Sequence, residues 1–85
     1  MAKVEWTERA VEDLEKLDKA VHQRILRRIT WFCENFERVI PEPLTGGFEG
    51  AFRLRIGDWR AVYTVESQTI LIQFIGHRRE IYKAK

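Results

Sequence analysis

The sequence predicts an α+β fold in which two N-terminal helices form a hairpin and pack on a twisted antiparallel sheet of about four strands. Three observations point there. Apolar residues recur at intervals of three or four from Ala10 to Phe36, which is the period of a helix face. From Phe52 onward they alternate, which is the period of a strand. Between the halves lies a stretch with both prolines and three of the five glycines. With 85 residues, 45% of them hydrophobic, the chain makes one domain with a modest core.

Lys3 to Trp6 alternates polar and apolar and reads as a first strand. Thr7 is placed to cap a helix, with Glu8 suited to the positive end of its dipole. Ala10, Val11, Leu14 and Leu17 form its apolar stripe. Asp18 is placed to cap a second helix, from Lys19 to about Phe36, whose stripe is Val21, Ile25, Ile29, Phe32 and Phe36. Cys33 reads as a small buried hydrophobe. Trp31 shares a helix side with Arg24, Arg27 and Arg28; it reads as a partner contact or as packed under the arginine stems or against the sheet edge, and the three arginines read as a solvated face.

Val39 to Gly50 is a loop: Pro41 and Pro43 flank Glu42, and Gly46, Gly47 and Gly50 follow. Phe52, Leu54 and Ile56 then alternate with Arg53 and Arg55, and Gly57 with Asp58 forms a two-residue hairpin turn. That turn sets Arg55 opposite Arg60, so Arg53, Arg55 and Arg60 share one face of the sheet. A second turn at Ser67 and Gln68 places Ile70, Ile72 and Phe74 on the helix-covered face. Thr69, Leu71, Gln73, Ile75 and, by continued alternation, His77 fall on the arginine face. Gly76 permits a bend that leaves the direction of Arg78 open.

The charge distribution singles out the same region. Net charge is only +2, yet residues 41–85 hold seven basic and five acidic side chains against eight of each in residues 1–40. Like charges opposed across a ladder repel, and guanidinium forks suit phosphate oxygens. The arginine face therefore reads as a polyanion site, or else as arginines paired with Glu49, Glu66 or Glu80. No metal-ligand spacing occurs and a single cysteine forms no internal disulfide, so neither cofactor nor metal is expected. The longest apolar runs fall well short of the roughly 20 residues that span a bilayer, so no membrane role is expected and the location expected is cytoplasmic.

Two segments, GAFRLRIGDWRAVY and GHRREIY, together with the strand and helix hairpin before them, resemble the RelE toxins of type II toxin–antitoxin modules. The likeness covers nearly the whole chain and implies the RelE/ParE-like fold described above. It also implies a ribosome-dependent mRNA endoribonuclease (mRNA interferase), silenced by a cognate antitoxin, RelB-like or other. In such enzymes the ribose 2′-hydroxyl attacks the adjacent phosphate. Carried over by position, Arg60, Arg78 and Tyr82 are expected in the catalytic set and Arg53 and Arg55 to bind phosphate; Arg79, beside Arg78, is expected to bind phosphate as well. Relatives with lysine at positions 53 and 55 have a side chain there that can lose a proton; guanidinium cannot. Proton transfer then falls to Tyr82, His77 or Glu42, the last because PEPL (residues 41–44) resembles a segment of the YoeB toxins with a base glutamate. Arg60, off the helix-covered face, is expected to be replaceable without loss of the fold. The other reading is a ParE-like toxin that inhibits DNA gyrase without cutting RNA.

Overall fold

The computed structural model describes residues 2–44 and 50–83, with side chains as far as residue 81. Strand β1 (Lys3–Trp6) leads into helices α1 (Glu8–Glu15) and α2 (Lys19–Glu34), a short 3-10 turn (Phe36–Arg38) and a two-residue strand β2 (Glu42–Pro43). Strands β3 (Phe52–Ile56), β4 (Trp59–Glu66) and β5 (Thr69–His77) follow, and helix α3 (Arg78–Lys83) ends the described chain.

Both expected caps form. Thr7 Oγ1 accepts the Ala10 N–H at 3.0 Å, and Asp18 Oδ1 accepts that of Val21 at 3.0 Å. α2 stops at Glu34, short of the expected Phe36. Asn35 leaves the helical region (φ −115°, ψ 19°), and its side-chain amide donates to the Trp31 carbonyl at 2.8 Å. The Trp31 carbonyl thereby takes a second donor beside the Asn35 backbone N–H, which lies 3.0 Å away.

The sheet has five strands in the order β1-β5-β4-β3-β2, and it is mixed: β1 runs parallel to β5 and the other pairs are antiparallel. Sequence reasoning missed the parallel pair because β1 and β5 are far apart in the chain, and the long connection allows that direction. It missed β2 because prolines flank Glu42. Pro43 lacks an N–H, which an edge strand tolerates, and Leu44 continues the pairing with an N–H bond of 2.9 Å to the Ala51 carbonyl.

The first hairpin has the expected register, with Arg55 opposite Arg60 and Ile56 opposite Trp59. Gly57 takes φ +60° at its tip, a conformation that glycine adopts freely. The second hairpin starts as expected, Glu66 opposite Thr69, and then departs. Tyr63 pairs with Ile72 but Val62 pairs with Phe74, so Gln73 is an extra residue in β5. One inserted residue exchanges the faces of everything beyond it. Arg60 therefore opposes Gly76 instead of Ile75, Ile75 and His77 move to the helix side with Ala61 and Trp59, and Phe74 moves to the arginine side with Val62.

Helix α1 secures this bulge. Thr7 Oγ1 donates to the Gln73 carbonyl at 2.6 Å, and Asp13 Oδ2 accepts the Ile75 N–H at 3.0 Å. Gln73 Nε2 donates to Thr64 Oγ1 at 3.0 Å. The main core lies between the helices and the sheet, with Ile25, Phe32, Tyr63, Ile70 and Ile72 almost wholly buried. The displaced Phe74 belongs to a second, smaller cluster on the opposite face, with Leu44, Val62 and Ile81. Gly76 permits the close approach of α3 there: a Cβ at this position would lie 3.4 Å from Ile81 Cδ1.

Candidate functional site

The arginine face is thus divided. One part is apolar and covered by Leu44 and Ile81; the other carries the charged groups. Arg53 and Arg55 are two residues apart on β3 and project from one side. β2 sets Glu42 directly across from Arg53. A single carboxylate oxygen, Glu42 Oε2, accepts from Arg53 Nε at 3.1 Å and from Arg55 Nε at 3.0 Å. The three side chains are graded in exposure: 21% for Arg53, 42% for Glu42 and 58% for Arg55.

The Arg53 hydrogen bond, with the charge and hydrogen bond of Arg55 and the charge of Arg53, holds the Glu42 carboxyl below the usual carboxylate range, against the opposing effect of burial. Glu42 is accordingly ionised at neutral pH. It takes the place in which sequence reasoning offered Glu49, Glu66 or Glu80; Glu49 lies outside the described residues. The available signal was the PEP tripeptide itself. A residue before proline is driven to extended backbone, which favours strand pairing for Glu42.

Arg60 is on the same face yet does not join this cluster. It is only 8% exposed, and its Nη1 donates to the carbonyls of Gly57 and Trp59, both at 2.8 Å. Its Nε is buried with no hydrogen-bond partner among the described residues. Arg55 and Arg60, though opposed in register, avoid each other because one turns to Glu42 and the other to the hairpin carbonyls. Arg60 lies off the helix-covered face as expected, yet it is buried there, so truncation to alanine would remove buried methylenes as well as the charge.

His77 is also corrected. The Gln73 bulge carries it to the helix side, where its ring stands edge-on to Trp59 at 5.5 Å and Nδ1 accepts the Arg79 N–H at 3.3 Å. It does not meet the arginines. Arg78 opens α3 with its N–H on the Asp58 carbonyl at 2.8 Å and its Nε 3.9 Å from Asp58 Oδ1, both side chains largely exposed. Arg79 is exposed. The Tyr82 side chain lies outside the described residues.

Elsewhere, Trp31 is 46% exposed with the Arg28 guanidinium 4.5 Å above its ring, a cation–π contact. The Cys33 thiol is buried, and desolvation raises its pKa, which opposes reactivity. An open groove of about 450 Å³, lined by Thr7, Arg9, Val62, Thr64 and Phe74 among others, lies on the far face beside the apolar cluster. No helix among the described residues is long and apolar enough to cross a membrane.

Residues 4–82 match the profile of a family described as the ParE toxin of the type II toxin–antitoxin system, parDE. No curated protein sequence matches the chain. Among solved structures, the RelBE2 toxin–antitoxin complex from Mycobacterium tuberculosis is similar at 26% identity, covering 91% of this chain and 98% of that one with a TM-score of 0.79. The RelB–RelE complex from Methanococcus jannaschii matches at 21% identity over 94% and 96% of the two chains, TM-score 0.71. The chromosomal ParDE system from P. aeruginosa matches at 20% over 91% and 96%, TM-score 0.72. The last two are likenesses of fold.

Proposed function

The chain belongs to the ParE toxin family of type II toxin–antitoxin systems, within the RelE/ParE superfamily, and from that premise we propose that it acts as a ribosome-dependent mRNA endoribonuclease. The observation that carries this reading is the convergence of two guanidinium Nε atoms on one oxygen, 3.0 and 3.1 Å away, on an exposed sheet face. A non-bridging phosphate oxygen is satisfied by the same arrangement.

In the proposed reaction the ribose 2′-oxygen bonds to phosphorus as the bond to the 5′-oxygen of the next nucleotide breaks. The products are a 2′,3′-cyclic phosphate and a 5′-hydroxyl. Arg53 and Arg55 hold the phosphate and offset the charge of the pentavalent transition state, a role in which fixed donors supply several kcal/mol. Arg60 adds positive charge from beneath the same face, and Arg78 and Arg79 extend it from α3. The 2′-hydroxyl proton goes to Glu42, and Tyr82 supplies one to the leaving oxygen. His77, on the helix side, is given no part.

The partners proposed are the ribosome with mRNA in its decoding site, and a cognate antitoxin, as in the toxin–antitoxin complexes RelBE2 and RelB–RelE. The setting proposed is the cytoplasm. The test is induction of the wild type and of an Arg53→Ala/Arg55→Ala variant with mRNA 5′ ends mapped. New ends should arise in coding regions with the wild type and vanish with the variant; arrest of growth with mRNA intact would sink the reading.

The ParE name of the matching family prompts a second reading, a non-nuclease toxin that inhibits DNA gyrase. Supercoiling assays with purified protein separate the two. Inhibition of gyrase without RNA cleavage would replace the first reading by the second.

A further inference from the structure

We propose that Glu42 is an internal anion that occupies the Arg53–Arg55 fork in the free protein and is exchanged for a phosphate oxygen when RNA binds. The inference rests on the reading of this face as an RNA phosphate site. It adds that the site is built around a competitor carried by the chain itself. Glu42 then has two effects of opposite sign: it aligns both guanidinium groups in advance, and it must be displaced before they can be used.

The geometry supports exchange. One oxygen, Oε2, serves both Nε donors, so moving one side chain withdraws the shared acceptor from both at once. The carboxylate is 42% exposed and Arg55 is 58% exposed; no core packing has to open for Glu42 to turn toward solvent. Ion pairs at this exposure are weak, and a polyanion offers more charge than one carboxylate. Backbone register stays fixed meanwhile, because Glu42 and Pro43 remain paired with Arg53 and Phe52. Arg53, the least exposed of the three at 21%, is the anchored member of the fork, and Arg55 the mobile one.

The prediction separates binding from turnover. Glu42→Gln keeps the shape and an acceptor oxygen but removes the charge. It should bind a short 2′-O-methyl RNA oligonucleotide, which has no 2′-hydroxyl to react, about tenfold more tightly than the wild type at fixed salt. Glu42→Asp, one methylene shorter and unable to span both donors equally, should fall between. In the wild type the Arg55 Nε–H resonance should be protected and should shift as the oligonucleotide is added; in Glu42→Gln, where the acceptor is neutral, it should exchange faster with water before addition. Thermal melts of the variants verify folding.

Anisotropy titrations give the decision. Equal or weaker binding by Glu42→Gln, with binding lost in Arg53→Ala, would overturn the exchange while leaving the phosphate site standing. Binding by none of the proteins would overturn the phosphate reading and the exchange with it.

Discussion

Arg60 offers the sharpest test of whether this face is built for charge or for stability. Replacing it by methionine, similar in length and apolar, removes two hydrogen bonds from Nη1 to the carbonyls of Gly57 and Trp59. Bonds from a charged donor contribute about 1.5–3 kcal/mol each, although these carbonyls belong to a hairpin end where water can replace part of the loss. On the other side stand the Nε that finds no partner among the described residues, worth about 1–3 kcal/mol, and the desolvation of a guanidinium only 8% exposed, worth several kcal/mol. The opposing effects nearly cancel. Arg60→Met should therefore unfold in urea within about 1 kcal/mol of the wild type, followed by circular dichroism. Arg60→Ala, which also deletes buried methylenes, should cost about 2 kcal/mol more. If Arg60→Met lost more than about 3 kcal/mol, the arginine would be a structural strut and its burial would say nothing about function. The expected result, a folded protein that no longer cuts RNA, identifies a charge kept at no gain in stability.

The packed face makes further predictions. Burial, helped by the negative charge of Glu42, pushes the Tyr63 phenol up to about 12. The folded state then favours the neutral phenol, and the stabilisation is complete below the ordinary value of 10 and lost as pH rises through 12. It amounts to at most about 3 kcal/mol; Tyr63→Phe should flatten the fall in urea midpoint over that window. Thr7→Val removes both the cap on Ala10 and the bond to the Gln73 carbonyl. It should lower stability by about 2–3 kcal/mol, whereas Thr7→Ser should lose under about 0.5 kcal/mol; an effect of the valine below that would refute the role of Thr7 in securing the bulge. Ser67 sits at φ 57°, so Ser67→Gly should raise thermal stability by about 1 kcal/mol.

What the sequence made legible was local. Thr7 and Asp18 cap because a short oxygen-bearing side chain precedes an apolar stripe, and the first hairpin register follows from a two-residue turn between alternating strands. The site was half legible for the same reason: Arg53 and Arg55 share a face by periodicity. Gln73 defeated the alternation beyond Ile72. Nothing in its own neighbourhood marks it as an extra residue, because the bulge is secured by Thr7 and Asp13, 66 and 62 positions away in the chain. His77 was misplaced by that one residue. The sequence names Glu42 as a proton-transfer candidate but puts it in a loop, because the strand that aligns it is two residues long and exists only by pairing with β3.

The exchange inferred for Glu42 bears directly on how it would accept a proton. Held by two guanidinium groups, its carboxyl is below the ordinary 4.5, and a carboxylate so stabilised is a weak base. When the arginines turn to phosphate, the hydrogen bond from Arg53 that chiefly lowers its pKa is withdrawn, and a phosphate of like charge comes near. Both changes raise the pKa. Glu42 therefore becomes more basic when substrate is bound. The acid limb of kcat/KM reports groups of the free protein and that of kcat those of the bound complex. The limb in kcat should thus lie at higher pH than the limb in kcat/KM, and Arg53→Lys should narrow the gap by weakening the hold on Glu42 in the free state. Pre-steady-state cleavage of ribosome-bound mRNA across the acid range measures both limbs. Coincident limbs, with Glu42→Gln abolishing cleavage, would mean that Glu42 acts as base without ever leaving the arginines.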